Sequence, residues 1–436
     1  MLSRWIPAAG RQRGLLARLG SRAYSYGRVF DAAARDGELR VFVVADLRYT
    51  EMLHTVKSGV PLCSLCLDAK ELMCKEGLQS LFPMEEIAIM GLWELLPHIY
   101  NVKRKIKDTL DAAILFRPHA VVTVDSKGFS FRLLQQLKCR YNQKVDSPLH
   151  VHYVAPSFWA WKGGESRLSK LHNFVDHMLC ILPFEDEICR LHGLPATYVG
   201  HPLLDDAAGL NVAGTSLQHK NVDSELSPDM SMRQRSGEAF SLEHGLSSVI
   251  PVAPHRDVRT YVENVVRSVP FPVVLIPGGS LEKRYGAFNA SKAALCTSGT
   301  AVMELMLAKL PCVVAYQAHF LTECFIHLRK KINFISLPNI LLDSPIVPEI
   351  LFRACTDKNL AAKLSEVIFN DEVRQLQVGS AERMLQVLYE PIKRQGNLFA
   401  EELGDSGLSS DVYSPSTIAA LTVLYTDKHR RMVHRN

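Results

Sequence analysis

The run Ser298-Gly299-Thr300-Ala301-Val302-Met303-Glu304 has residue types and an order that suit a phosphate. A Ser-Gly-Thr turn opening a helix aims unbonded backbone N–H groups, and the positive end of the helix dipole, at one spot. Glu304, one turn further in, is placed to accept hydrogen bonds from ribose hydroxyls. The same residues also read as ordinary helix capping. Asp125 ends the apolar run of residues 120–124. A carboxylate at a strand's carboxyl end either takes a proton from a hydroxyl acceptor or caps the following helix.

A second group of candidates is aromatic or polar. His152-Tyr153-Val154-Ala155-Pro156-Ser157-Phe158-Trp159-Ala160-Trp161-Lys162 holds two of the chain's four tryptophans, Trp159 and Trp161. Large aromatics on a loop meet a sugar, a lipid or a partner, or else pack against the core. Gly200-His201-Pro202 gives a histidine able to bond a phosphate or to shape a turn. In Ser336-Leu337-Pro338-Asn339 the Asn339 amide is a candidate substrate contact. Residues 90–100, with Met90, Leu92, Trp93, Leu95, Leu96, Ile99 and Tyr100, run into Lys103-Arg104-Lys105-Ile106-Lys107. An apolar face beside cations suits an anionic bilayer surface; a core helix with a solvated basic end has the same composition. Cys63 and Cys66 have metal-ligand spacing, but no second pair follows, so no metal is expected.

Elements of α/β type are needed to position these residues. Short runs rich in β-branched residues, closed by Pro, Gly or Asp, predict strands at 41–45, 120–124, 151–155, 177–182 and 197–199. A second series is expected at 249–252, 273–276, 294–296, 312–315 and 334–336. Helices are expected at 301–308, through 357–390 and at 415–426. The stretch 205–248 is polar and without period, and reads as a linker or poorly ordered loop. The expected architecture is two Rossmann-like domains, 37–204 and 249–395, with a cleft between them and a C-terminal loop and short helix over 396–436. Ligands in such sheets bind outside the carboxyl ends of the strands.

The chain of 436 residues is too long for one ordinary core. A net charge of +5 gives no basic field of the kind nucleic acid requires. No apolar run reaches the about 18 residues of a spanning helix, so membrane contact is expected to be peripheral. Residues 1–30 contain Arg4, Arg11, Arg13, Arg18, Arg22 and Arg28 but no Asp, Glu or Lys. That pattern predicts a transit peptide over 1–36 and a mitochondrial destination; a disordered basic tail is the plainer alternative.

Taken together these segments resemble the lipid-A-disaccharide synthase family, most of all its plant organellar branch. The resemblance runs through Phe82-Pro83-Met84-Glu85-Glu86, residues 90–97, Val122-Thr123-Val124-Asp125 and His152 to Lys162. It continues through Leu182-Pro183-Phe184-Glu185, Gly200-His201-Pro202, Ser298 to Glu304, Val314-Ala315-Tyr316 and Ser336 to Leu341. It implies a GT-B-type fold and an inverting, metal- and cofactor-free transfer of 2,3-diacylglucosamine from UDP to 2,3-diacylglucosamine 1-phosphate. The partners it implies are the UDP-activated acylated sugar, the acylated sugar phosphate and the surface of the inner mitochondrial membrane. A homo-oligomer stays open.

Asp125 falls on an essential family Asp and becomes the expected general base. Glu304 falls on the family's nucleotide-binding position and Asn339 on a family active-site Asn; Ser298, Gly299 and Thr300 are the candidate nucleotide contacts beside Glu304, and His201, Trp159 and Trp161 the candidate substrate contacts beside Asn339. Two family loops are missing. Asp46-Leu47-Arg48-Tyr49-Thr50 stands where a Gly-Glu-x-Ser-Gly-Asp loop follows the first strand, and no Leu-Pro-Gly-Ser-Arg lies between Pro202 and Pro251. A fold incomplete in both halves is therefore expected. So is an alternative reading: a splice form of impaired catalysis, or a family member that only binds nucleotide or lipid. A UDP-N-acetylglucosamine transferase or epimerase of the same fold is the further rival.

Overall fold

In the computed structural model, residues 39–44, 62–66, 79–80, 99–141, 147–206, 247–253, 256–278, 280–403 and 414–433 are described. The expected transit peptide, most of the expected linker and residues 90–98 lie outside them. The chain divides into two compact units, Met1–Pro202 with Glu390–Asn436, and Leu203–Tyr389.

The first unit is built on one parallel sheet of seven strands. They are β1 (Leu39–Val44), β2 (Leu62–Cys66), β3 (Gln79–Ser80), β4 (Ala120–Val124), β5 (Leu149–Tyr153), β6 (His177–Cys180) and β7 (Ala196–Tyr198), in the order β3-β2-β1-β4-β5-β6-β7. Every residue of β4 and β5 is buried, as their β-branched sequences require of a sheet covered on both faces. Helix α1 (Ile99–Phe116) supplies Val102, Ile106, Leu110 and Ala113 to the core, and α2 (Lys127–Tyr141) supplies Phe129, Leu133, Leu134 and Leu137. Both spacings are those of one helical face. β1 pairs with β2 on one side and β4 on the other, while the loop after β1, where the first departure from the family falls, lies outside the described residues. The sequence reading had no strand at β2 or β3.

Short helices α3 (Leu168–Leu171) and α4 (Glu185–Leu191) complete the loops beside β6. The unit is closed by the end of α11 (Asp371–Leu403) and by α12 (Pro415–Val433). The division between units falls one residue before Pro391, which cannot donate to the helix ladder of α11. The expected boundary at 395 and the short terminal helix differ from this: α12 runs for 19 residues and belongs with the first unit. Gly200 shows why. Its φ is +94°, and a Cβ there would stand 2.4 Å from Ile392 Cδ1 and 2.9 Å from Pro415 Cγ. Only glycine fits so close an approach.

The second unit holds two parallel sheets. One pairs β8 (Ser248–Val252) with β9 (Val273–Pro277); the other has the order β10 (Ala294–Cys296), β11 (Cys312–Tyr316), β12 (Glu349–Leu351). Its helices are α5 (Arg256–Val266), α6 (Leu281–Asn289), α7 (Thr300–Leu307), α8 (Phe320–Arg329), α9 (Leu337–Leu342) and α10 (Asp357–Phe369), followed by the first part of α11. The α/β class with parallel sheets is as expected. The strand expected at 334–336 is not formed, and β12 takes its place in the sheet.

Candidate functional site

In the first unit the chain leaves β4 through an unusual turn. Asp125 and Ser126 have φ of 45° and 40°, and each non-glycine residue in that left-handed region costs roughly 1–2 kcal/mol. The turn is held by its backbone. Asp125 N–H donates to the Tyr153 carbonyl at 2.9 Å, and the Ser130 hydroxyl donates to the Asp125 carbonyl at 2.8 Å. The N–H groups of Phe129 and Ser130, at the start of α2, both donate to the Ser126 carbonyl. Two of the first N–H groups of α2 are therefore bonded without the Asp125 side chain. That carboxylate is exposed and has no hydrogen bond or ion pair among the described residues. It makes no cap hydrogen bond to α2.

The aromatic loop after β5 divides in function. Trp159 is a buried peg: its indole N–H donates to Glu185 Oε1 at 3.0 Å, and its ring meets Phe184 edge-on at 4.9 Å. Glu185 Oε2 also accepts from the Leu182 N–H. Burial pushes the Glu185 carboxyl up to about 7, although these hydrogen bonds pull it the other way. The expectation that Trp159 meets substrate gives way to its other reading, a ring packed in the core with its N–H satisfied by Glu185. Trp161 is half-buried. Phe158 is half-buried against the core, with Lys127 and Arg167 over its ring.

In the second unit Gly299 caps α7 with φ 151° and ψ −161°, a conformation reserved for glycine. A Cβ there would meet nothing within 4 Å, and Gly299 is exposed. The Ser298 hydroxyl donates to the Ile335 carbonyl at 3.1 Å, which leaves its lone pairs, not its proton, for a ligand. Glu304 is paired with Arg284 from α6, Nε to Oε2 at 3.2 Å. Arg284 is not among the candidates that the sequence pattern offers. Its distance along the chain from Glu304 gave no signal.

Glu349 was missed as well. Its carboxylate accepts from the N–H groups of Ile335 and Ser336, from the Ser336 hydroxyl at 2.6 Å and from the Asn339 amide at 3.0 Å. These bonds explain why residues 334–336 form no strand, since their donors point at a side chain. Asn339 is buried. Its amide nitrogen also donates to the Val347 carbonyl, and its oxygen accepts from the Ile346 and Val347 N–H groups. All four positions of the amide are filled, so Asn339 holds the loop before β12 and does not face a substrate. One peptide joins this network to the helix mouth: Glu349 takes the Ser336 N–H, and Ser298 grips the Ile335 carbonyl of the same unit.

His201 is buried beside the Gly200 turn, which favours its turn-shaping role. Of the apolar segment, Met90, Leu92, Trp93, Leu95 and Leu96 lie outside the described residues. Ile99 begins α1 and Tyr100 is exposed. From Val102 onward the apolar face of α1 is core, while Lys103, Arg104 and Lys107 are exposed. That part is a core helix with a solvated basic end. Among the described residues no helix is long and apolar enough to cross a membrane, and no three His, Cys, Asp or Glu side chains converge as for a metal.

Two parallel-sheet units, one offering an unpartnered carboxylate at a strand end and the other a helix that starts at an exposed glycine, define a Rossmann-like α/β protein. A solved structure of S. aureus MnaA with UDP shares this fold, with a TM-score of 0.50 and 11% identity over 85% of this chain and 99% of that one. A sequence model of the lipid-A-disaccharide synthetases matches residues 43–226 and 245–403. A probable mitochondrial lipid-A-disaccharide synthase of Arabidopsis thaliana is 46% identical over 91% of this chain and 93% of its own length. The lipid-A-disaccharide synthase of Rhodospirillum centenum is 36% identical over 70% and 78%. The chain belongs to the lipid-A-disaccharide synthase family.

Proposed function

We propose that this chain forms lipid A disaccharide 1-phosphate, joining UDP-2,3-diacylglucosamine to 2,3-diacylglucosamine 1-phosphate, in the mitochondrion at the surface of the inner membrane. Asp125 takes the proton from the acceptor hydroxyl. The acceptor oxygen bonds to the anomeric carbon with inversion, and the bond from that carbon to the diphosphate breaks, UDP leaving with the electron pair. The backbone N–H groups at the mouth of α7 carry the charge that develops on the diphosphate. Glu304 and Ser298 offer acceptors to the ribose and base. Tyr100, with the apolar residues before it, meets the acyl chains or the bilayer.

The observation that carries this reading is the Asp125 carboxylate, exposed and unpartnered at the end of a buried strand in a strained turn. Strain of this kind persists where surrounding structure holds it, and points to a use. The test is disaccharide formation by the purified full chain from the two acylated substrates. Turnover is expected, and Asp125→Asn is expected to lower kcat by about 10²–10⁴ with little change in UDP binding. A chain that binds UDP but makes no disaccharide would leave it a binding member of the family.

A further inference from the structure

Two cations lie over the Phe158 ring. Lys127 Nζ lies 5.8 Å from its ring centroid, and the Arg167 guanidinium carbon lies 5.7 Å from the same centroid. Both cations are exposed, and neither has a carboxylate partner among the described residues. They come from different elements. Lys127 is the first residue of α2, two positions after Asp125, and Arg167 ends the 3-10 turn Glu165–Arg167.

The loop that brings them together is firmly built. Trp159 anchors it through Glu185, next to Phe158. The Trp161 N–H donates to the Phe158 carbonyl, the Gly164 N–H to the Trp161 carbonyl and the Arg167 N–H to the Gly164 carbonyl, at 2.9–3.1 Å. A Cβ on Gly164 would lie 2.1 Å from the Phe158 carbonyl oxygen, so only glycine lets the two halves of the loop close. Two like charges on one ring repel each other, and the ring's own attraction for an exposed cation is small, roughly 0.5–1 kcal/mol each. An anion between or beside them removes the repulsion. Arginine reads two phosphate oxygens with its planar fork, and lysine adds a point charge. Both sit at the carboxyl ends of β4 and β5, the edge at which doubly wound sheets bind ligands.

We infer that Lys127, Phe158 and Arg167 form a subsite for the phosphate monoester of the acceptor sugar, fixing that sugar so that its free hydroxyl meets Asp125. The inference rests on the acceptor role given to Asp125 above. It makes the acceptor's phosphate a specificity element read by this loop, independent of the nucleotide half-site in the other unit.

The test compares acceptors with and without the 1-phosphate on wild type, Lys127→Arg and the double variant Lys127→Ala with Arg167→Ala. Both positions are exposed, and an unchanged thermal melt checks that the variants fold. Two charge-assisted contacts predict a preference of about 100-fold for the phosphorylated acceptor in wild type. The double variant is expected to lose that preference with the KM for the UDP-sugar unchanged, and Lys127→Arg to keep most of it. An unchanged preference in the double variant overturns the subsite. So does a double variant that releases anionic phosphatidylglycerol vesicles while its preference stands, because the cations then serve a bilayer. Glucosamine 1-phosphate binding, followed by phosphorus NMR, separates this from the enzyme reading. Binding lost in the double variant of a chain without turnover upholds the subsite and defeats the transfer reaction; turnover with glucosamine 1-phosphate bound equally by both proteins does the reverse.

Discussion

The two units solve the same sheet problem differently. In the first, β1 pairs with both β2 and β4, the seven strands are continuous, and β4 and β5 are buried throughout. In the second, no described strand pairs with both β8 and β10, and the sheet is split into two strands and three. Most residues of β8, β9 and β10 are only half-buried. The sequence between Pro202 and Pro251 carries no Leu-Pro-Gly-Ser-Arg run, and most of that stretch lies outside the described residues. An unpaired edge leaves backbone donors and acceptors to be satisfied elsewhere. The difference teaches how each half-site is supported. Asp125 stands on a closed ladder of strands. The helix mouth at Thr300 stands on a carboxylate, Glu349, that gathers the donors of Ile335, Ser336 and Asn339.

If that contrast is right, its largest sign is in hydrogen exchange. Local opening follows how few buried apolar contacts hold a segment. Amides of β8 and β9 are expected to exchange about 100-fold or more faster than those of β4 and β5 in the native chain. Equal protection in both sets would mean that the split does not weaken the second unit. A smaller effect is expected at the network. Glu349→Ala leaves at least three donors without a partner, at a cost of roughly 1–3 kcal/mol each. UDP binding measured by calorimetry should weaken by about 10–100-fold, with Glu349→Gln recovering part of it because one acceptor oxygen remains. Unaltered UDP affinity in Glu349→Ala would show that the helix mouth does not depend on this carboxylate.

The first unit was the more legible of the two for a physical reason. Runs such as Ala120-Val121-Val122-Thr123-Val124 carry their burial in their composition, and both β4 and the turn at Asp125 fall where reading placed them. The helix opened by Ser298-Gly299-Thr300 was equally plain, since glycine and two hydroxyl residues before an apolar helix is a local signal. β2 and β3 were not legible, because Leu62-Cys63-Ser64-Leu65-Cys66 is short and lacks β-branched residues. Residues 334–336 looked like a strand on composition alone. What displaced that strand is Glu349, more than ten residues away, and such a partner leaves no mark in local pattern. Trp159 and Asn339 are held by internal partners, Glu185 and the loop before β12, that no local pattern marks.

The smallest expected effect tests the buried polar groups of the first unit against one another. His150, His152 and His177 are held by burial at about 4, about 3 and about 4, below their usual 6.5. As pH falls from 6.5 towards 4 the unfolded chain takes up protons that the native one refuses, so their contribution is lost on acidification. Glu185 runs the other way. Burial raises it from 4.5 to about 7, so the native chain keeps a proton that the unfolded chain gives up. Its contribution is present below pH 4.5 and lost as pH rises through 7. Asp186 adds to the upward push, while the Trp159 and Leu182 hydrogen bonds oppose it. Between about pH 4.5 and 6.5 three histidines therefore raise stability with pH and one carboxyl lowers it. Glu185→Gln removes the opposing slope, at most about 1.4 kcal/mol per pH unit. Urea unfolding followed by tryptophan fluorescence at pH 5 and pH 6.5 should show the variant gaining on wild type as pH rises. Parallel behaviour at both pH values would mean that Glu185 is already ionised beside Trp159, and that the peg holding the aromatic loop is an ordinary charge-assisted hydrogen bond, not a protonated carboxyl.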